Sequence, residues 1–271
     1  MQAFKGDKKL KKMLLDEIVR HRKADLLRQG AYKKEIDGKF RFCAVGCAIE
    51  TLNVKLGKDY SNNDHNAYET ELEIPRTLAH LEDRIFERLP RVKAMMWPEH
   101  FIAAIPVGAD LSLVIPKLML WIMNDVKKYA KKSPQILKAI QTVRELYRRK
   151  IKGEIITDEE WNSARRNAYA AAAYAADVVA VYVAYAAAAA DAAAAAAYAA
   201  DAAAAADAAA AAYAADAAAA RKKQWIKTSK QLIFLIKNSM KKPVKKTISK
   251  SETRRIAEIK KPAKKTIKKK K

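Results

Sequence analysis

Little in this 271-residue chain interrupts a helix: it has seven glycines and eight prolines. That is too few for the many tight turns of a sheet-rich fold. Cysteine is nearly absent. Cys43 and Cys47 lie four residues apart, where a disulfide along one helix would be strained, so they read as reduced thiols in a cytoplasmic protein. The opening residues MQAFKGDKKLKKMLLDEI contain no apolar run of signal-peptide type. A glycine-rich phosphate loop, a dinucleotide fingerprint, a G-x-S-x-G elbow and an H-E-x-x-H pair are all missing, so no cofactor is expected.

What the chain has instead is alanine. Between Ala168 and Ala220, 38 of 53 residues are alanine, interrupted only by Tyr, Val and Asp. Alanine has the highest helix propensity, so the tract is expected to be helical. Its longest uncharged stretch, Val178 to Ala190, is 13 residues. A membrane span needs about 20, and no span is expected. Taken as one rod, the helix starting near Thr157 would extend about 120 Å at 1.5 Å per residue. The tract therefore either projects as a coiled coil or folds back at its aspartates, near Asp191, Asp201 or Asp207. Its tyrosines keep to no single heptad face, which favours a folded-back hairpin or small bundle.

Charge is concentrated at one end. Of the formal net charge of +24, residues 221–271 supply +19, with 21 Lys and Arg against Glu252 and Glu258. The preceding 220 residues are close to neutral. A flexible basic segment neutralises phosphates and releases counterions, so it associates with nucleic acid whatever the sequence. The nucleic-acid candidates are Lys241, Lys242, Lys245, Lys246, Arg254, Arg255 and Lys260, continuing with Lys261, Lys264, Lys265, Lys268, Lys269, Lys270 and Lys271. No aromatic residue follows Phe234, so base stacking is not expected.

The pattern predicts an all-α protein in three parts: a mixed helical domain over 1–153, an alanine-rich helical domain over 154–240, and a disordered Lys-rich tail over 241–271. An amphipathic helix is expected from the start to about Gly30, with Leu10, Leu14, Ile18 and Val19 on one face. A buried helix is expected over 42–52, a polar loop over 55–66, and helices opening at Pro75, Pro98 and Pro134. The run DLSLVIPKLMLWIMNDVKKYA should be the central helix, with Pro116 in its first turn or kinking it. Thr157 and Glu160 form a capping signal, and residues 225–240 read as an amphipathic helix able to dock on the body.

Candidates for chemistry are sparse. On a helix Cys43 and Cys47 would face the same way and could ligate a metal with His65 or His80. Two small buried hydrophobes explain them more simply, so no metal is expected. His65, in the polar stretch SNNDHNAYE, is the best histidine for a polar site, whereas His80 should lie on a helix surface. The acids from Asp64 to Glu87 could hold a divalent cation or serve as acid and base. Arg76, Arg84 and Arg88 are interleaved with them, which points to a solvated, ion-paired face. Trp97, Trp121 and Tyr68 read as core.

The runs CAVGCAIETL, HNAYETELEIPRTLAHLEDRIFERLP and WPEHFIAAIPVGADLSLV resemble a family of uncharacterised proteins from bacteriophages and bacteria, over about residues 20–150. The alanine tract is similar to an alanine-rich immunity-protein domain of bacterial toxin systems. Neither family supplies catalytic residues. The Lys-rich extension after Met240 departs from their pattern. The resemblance implies a phage or bacterial accessory protein that binds a protein partner, of immunity or counter-defence type. Its alternative is a sequence-independent nucleic-acid-associated protein acting through its tail, and an enzyme built on Cys43, Cys47, His65 and the acids is a third reading.

Overall fold

A computed structural model describes residues 1–127, 133–175 and 214–240, all within one compact unit, Met1–Met240. Among the described residues the architecture is helical, with nine α-helices and a single two-stranded sheet. The hairpin or rod expected of the alanine tract lies outside the described residues, as do the disordered tail and its lysines. At either edge of the tract the chain is helical.

Helix α1 spans Lys8–Lys23, and Asp7 caps it by accepting a hydrogen bond from the Lys9 amide at 2.7 Å. It buries Leu14, Ile18 and His21, one per turn. The expected end near Gly30 is corrected: α1 stops at Lys23 and Asp25 turns with φ of 54°. The reason is that residues 26–28 run beside β2, with the Phe42 amide donating to the Leu26 carbonyl and the Arg28 amide to the Phe42 carbonyl. Strands β1, Lys33–Ile36, and β2, Lys39–Phe42, form an antiparallel hairpin closed by Asp37 and Gly38, both at positive φ.

Helix α2, Ala44–Leu56, is the most buried element. The short α3, Asn66–Leu72, leads through Pro75 into α4, Arg76–Arg88. Helix α5 spans Arg91–Ala104 and corrects another expectation. Pro90 supplies its N-cap and Pro98 lies inside it, because the carbonyl-only residue at 90 already fits a helix start seven residues earlier. In α6, Val114–Val126, Pro116 sits in the first turn, where its missing N–H costs nothing.

Helix α7 spans Pro134–Ile151, and α8 spans Asp158–Ala175. The Thr157 amide donates to Glu160 Oε2 at 3.0 Å, and the Glu160 amide donates back to Thr157 Oγ1 at 3.2 Å. This is the reciprocal capping box that the spacing predicted. Tyr147 on α7 packs against Trp161 on α8 at 5.0 Å between ring centroids. Finally α9, Ala214–Lys237, docks on α4, α5 and α6. Trp225, Leu232 and Ile236 are buried there, Lys227 pairs with Asp125 at 2.7 Å, and its ammonium lies 5.0 Å from the Trp121 ring. No helix among the described residues is long and apolar enough to cross a membrane.

Candidate functional site

Cys43, Cys47, His65 and His80 gather around α2 and α4, where His21 of α1 and Tyr32 join them. They do so in two groups rather than one. Cys43 is not on the helix but caps it, its Sγ accepting from the Gly46 amide at 3.3 Å. From that position it faces Asp83, whereas Cys47, one turn into α2, faces His21 on α1. The shared direction expected of an i, i+4 pair is therefore lost. A capping residue has extended backbone, which turns its side chain away from the helical face. Among the described residues no group of three or more His, Cys, Asp and Glu is placed to hold a metal ion.

In the first group, His21 Nδ1 lies 2.7 Å from Cys47 Sγ, and its Nε2 lies 3.0 Å from an Arg20 guanidinium nitrogen. Arginine only donates, so Nε2 must be the unprotonated nitrogen. Nδ1 then carries the proton and donates it to the Cys47 sulfur. In that tautomer Nδ1, the nitrogen facing the sulfur, has no lone pair to accept a thiol proton, so the contact does not activate Cys47. Burial pushes the Cys47 thiol well above its ordinary pKa and, followed by the Arg20 charge, lowers that of His21.

In the second group, His65 Nδ1 donates to the Asn63 carbonyl at 2.8 Å, which leaves Nε2 bare, buried and 4.0 Å from Asp83 Oδ2. The His80 ring stacks on His65 with centroids 3.7 Å apart and planes 11° from parallel. The expectation that His80 lies on an open helix surface is thus corrected, since it is half-buried against this partner. Burial lowers His80 to about 4, with the neighbouring His65 and Arg76 adding to the effect. Tyr32 meets His65 edge-on and turns its hydroxyl toward Asp83; its pKa is pushed up to about 12, chiefly by burial. Burial likewise raises Cys43 and Asp83 and lowers His65. Every group in this cluster is thus pushed toward its neutral form.

Glu71 and Glu82 are both buried but are held in different ways. Glu71 behaves as an ion-paired residue: it accepts from the Tyr60 hydroxyl at 2.7 Å and from Lys58 at 2.8 Å, and these contacts hold it down at about 2. Glu82 does not belong to a solvated face at all, which corrects that expectation for this residue. It is 0% exposed, its Oε atoms close no hydrogen bond of normal geometry although the Tyr68 hydroxyl faces it, and burial pushes it up to about 8. Its place on α4 follows from Leu78, Ala79, Ile85 and Phe86, the buried face into which position 82 falls. Periodicity alone contained that signal.

A small cleft of about 290 Å³ opens over His21, and both carboxylates in its lining are ion-paired. Glu17 pairs with Arg20 and Lys55, and Glu50 with Lys33. The larger opening is a groove of about 730 Å³ between α5 and α9. Its apolar lining includes Val92, Met96, Trp97, Ile226 and Ile233, and its polar lining is Lys93, His100, Ser229, Lys230 and Lys237. Among the described residues no carboxylate lines it. Val92 is 82% exposed at its edge. Sequence reasoning missed this site because it arises only when α9, some 130 residues further along the chain, docks beside α5.

Comparison of the chain with protein families, with curated proteins and with solved structures returns no match.

Proposed function

We propose that this chain is a non-enzymatic binding protein that acts through its helical surface on a protein partner, of phage or bacterial origin and of immunity or counter-defence type. The observation that supports this reading is the α5–α9 groove, an apolar channel with basic borders. Interface centres combine such apolar anchors with a polar rim. The buried thiols lend support from the other side, because burial holds Cys43 and Cys47 in the protonated form, which is a poor nucleophile.

A photo-crosslinking residue at Val92, compared with one at Ile155, tests the proposal in cells. Ile155 is also exposed, at 90%, but lies in the turn between α7 and α8, outside the groove lining. The expected outcome is a discrete protein adduct from position 92 and none from 155. Adducts from both positions, or from neither, would overturn it.

The tail carries the alternative reading, sequence-independent association with nucleic acid, supported by its excess of cations. Deleting residues 241–271 is then expected to abolish binding to a generic DNA duplex, and in the intact chain that affinity should fall steeply between about 50 and 200 mM salt. Duplex affinity that survives the deletion would refute it.

A further inference from the structure

We infer that the α5–α9 groove receives an amphipathic α-helix of the partner whose apolar stripe is bordered by carboxylates about two turns apart. The inference rests on reading the groove as the partner-binding surface. Both walls are helices, and their contributing residues form straight stripes. On α9 these are Ile226, Ser229, Lys230, Ile233 and Lys237, at the spacing of one helical face. The α5 stripe runs from Val92 to Ala104. At 1.5 Å per residue each stripe is about 17 Å long, which is three turns of a third helix laid between them.

Three lysines and one histidine repeat with the same geometry. Lys93 and His100 are seven residues apart on α5, and Lys230 and Lys237 are seven apart on α9. Each pair is thus separated by about 10 Å along its own wall. An apolar helix lying in the channel would bring the residues flanking its stripe to those four side chains. Carboxylates at those flanks gain charge-assisted hydrogen bonds, and lysines there meet like charge. A fatty acid would fill apolar space too, but its single carboxylate can answer only one of the four. Helix-in-groove recognition of this kind reads anchors at i, i+3, i+4 and i+7.

Fluorescence anisotropy with the full-length chain tests this. The probes are three labelled peptides of about 18 residues. The first is an amphipathic helix with leucines on one face and glutamates flanking them. The second carries lysines at the flanks, and the third is a scramble of the first that keeps its charge. The scramble reports on simple attraction to the Lys-rich tail. The glutamate-flanked helix is expected to bind roughly 30-fold tighter than the lysine twin and roughly 10-fold tighter than the scramble at about 0.15 M salt.

Val92→Glu, at an exposed position that does not support the core, should cost that peptide at least about tenfold in affinity. Lys230→Glu with Lys237→Glu should reverse the preference toward the lysine-flanked twin. Equal binding of helix and scramble, or indifference to Val92→Glu, would overturn the inference by assigning the affinity to the tail. So would displacement of the peptide by laurate, or a dimer in sedimentation that Val92→Glu dissolves. If Val92→Glu removes a cellular adduct formed at another groove position while none of the peptides binds, the acidic helix fails and the partner-binding reading stands. If groove positions crosslink nothing, both fail.

Discussion

Gly46→Ala is expected to lower the melting temperature by roughly 6–12 °C, the equivalent of about 3 kcal/mol in a unit of this size. An alanine Cβ at position 46 would lie 2.0 Å from the Tyr32 carbonyl oxygen and 3.0 Å from its carbon. Both are backbone atoms, so no side-chain rotation relieves the contact. The segment between α1 and β1 must retreat by more than an ångström. Retreat carries Tyr32 away from His65 and Asp83 and exposes the second buried cluster. The sign makes the experiment decisive, because glycine-to-alanine in a helix interior otherwise gains about 1 kcal/mol. Thermal melts of the two proteins side by side measure it. A variant as stable as the parent would show that the Tyr32 backbone does not rest on α2.

The second large effect is a pH-dependent gain from Glu82→Gln. Burial raises the Glu82 pKa to about 8, so the folded state favours its protonated form. A carboxyl raised in this way stabilises the fold fully below its unfolded pKa, and the contribution is lost as pH climbs from about 4.3 to about 8. Over that window the full linkage is about 5 kcal/mol, and relaxation around a charged carboxylate reduces what is observed. Glutamine keeps the shape and cannot ionise. The variant should therefore match the parent near pH 4 and exceed it by several kcal/mol at pH 8.

His80 works at the opposite end of the range. Its folded pKa is lowered to about 4, so stability is lost as pH falls from about 6.5 toward 4. Urea titrations across pH 4–9 should accordingly show the parent most stable near pH 5–7. The Glu82→Gln curve should fall on the acid side as the parent does and decline less than the parent on the alkaline side, where the raised Asp83 still costs stability. A parent curve that keeps rising above pH 7 would mean that Glu82 is ionised in the fold and has found a partner there.

Several elements were legible before any coordinates. The Thr157–Glu160 capping box closes as the spacing requires, and α4 and α7 begin within a residue of Pro75 and Pro134. The docking of 225–240 follows from its amphipathic pattern. These signals are local, formed by residues within one or two turns of each other. The hairpin was legible too and was missed. KKEIDGKFRF sets Asp37–Gly38 between two four-residue strands, a turn pair that accepts positive φ at both positions. Pro98 misled for the complementary reason. Proline marks a helix start only where nothing upstream supplies one, and here Pro90 did.

By itself the sequence determined the helical class, the caps that open its helices, and a charge divided between a nearly neutral body and a cationic end. Each is a property of neighbouring residues or of composition. The tertiary structure alone decided which nitrogen of His21 carries the proton, that Cys43 and Cys47 look in different directions, and that Glu82 is sealed in the core. It also decided that α9 lies beside α5 and leaves a basic-edged groove between them. Such facts depend on contacts between residues up to about 140 positions apart. Chain packing creates them, and no local pattern encodes them.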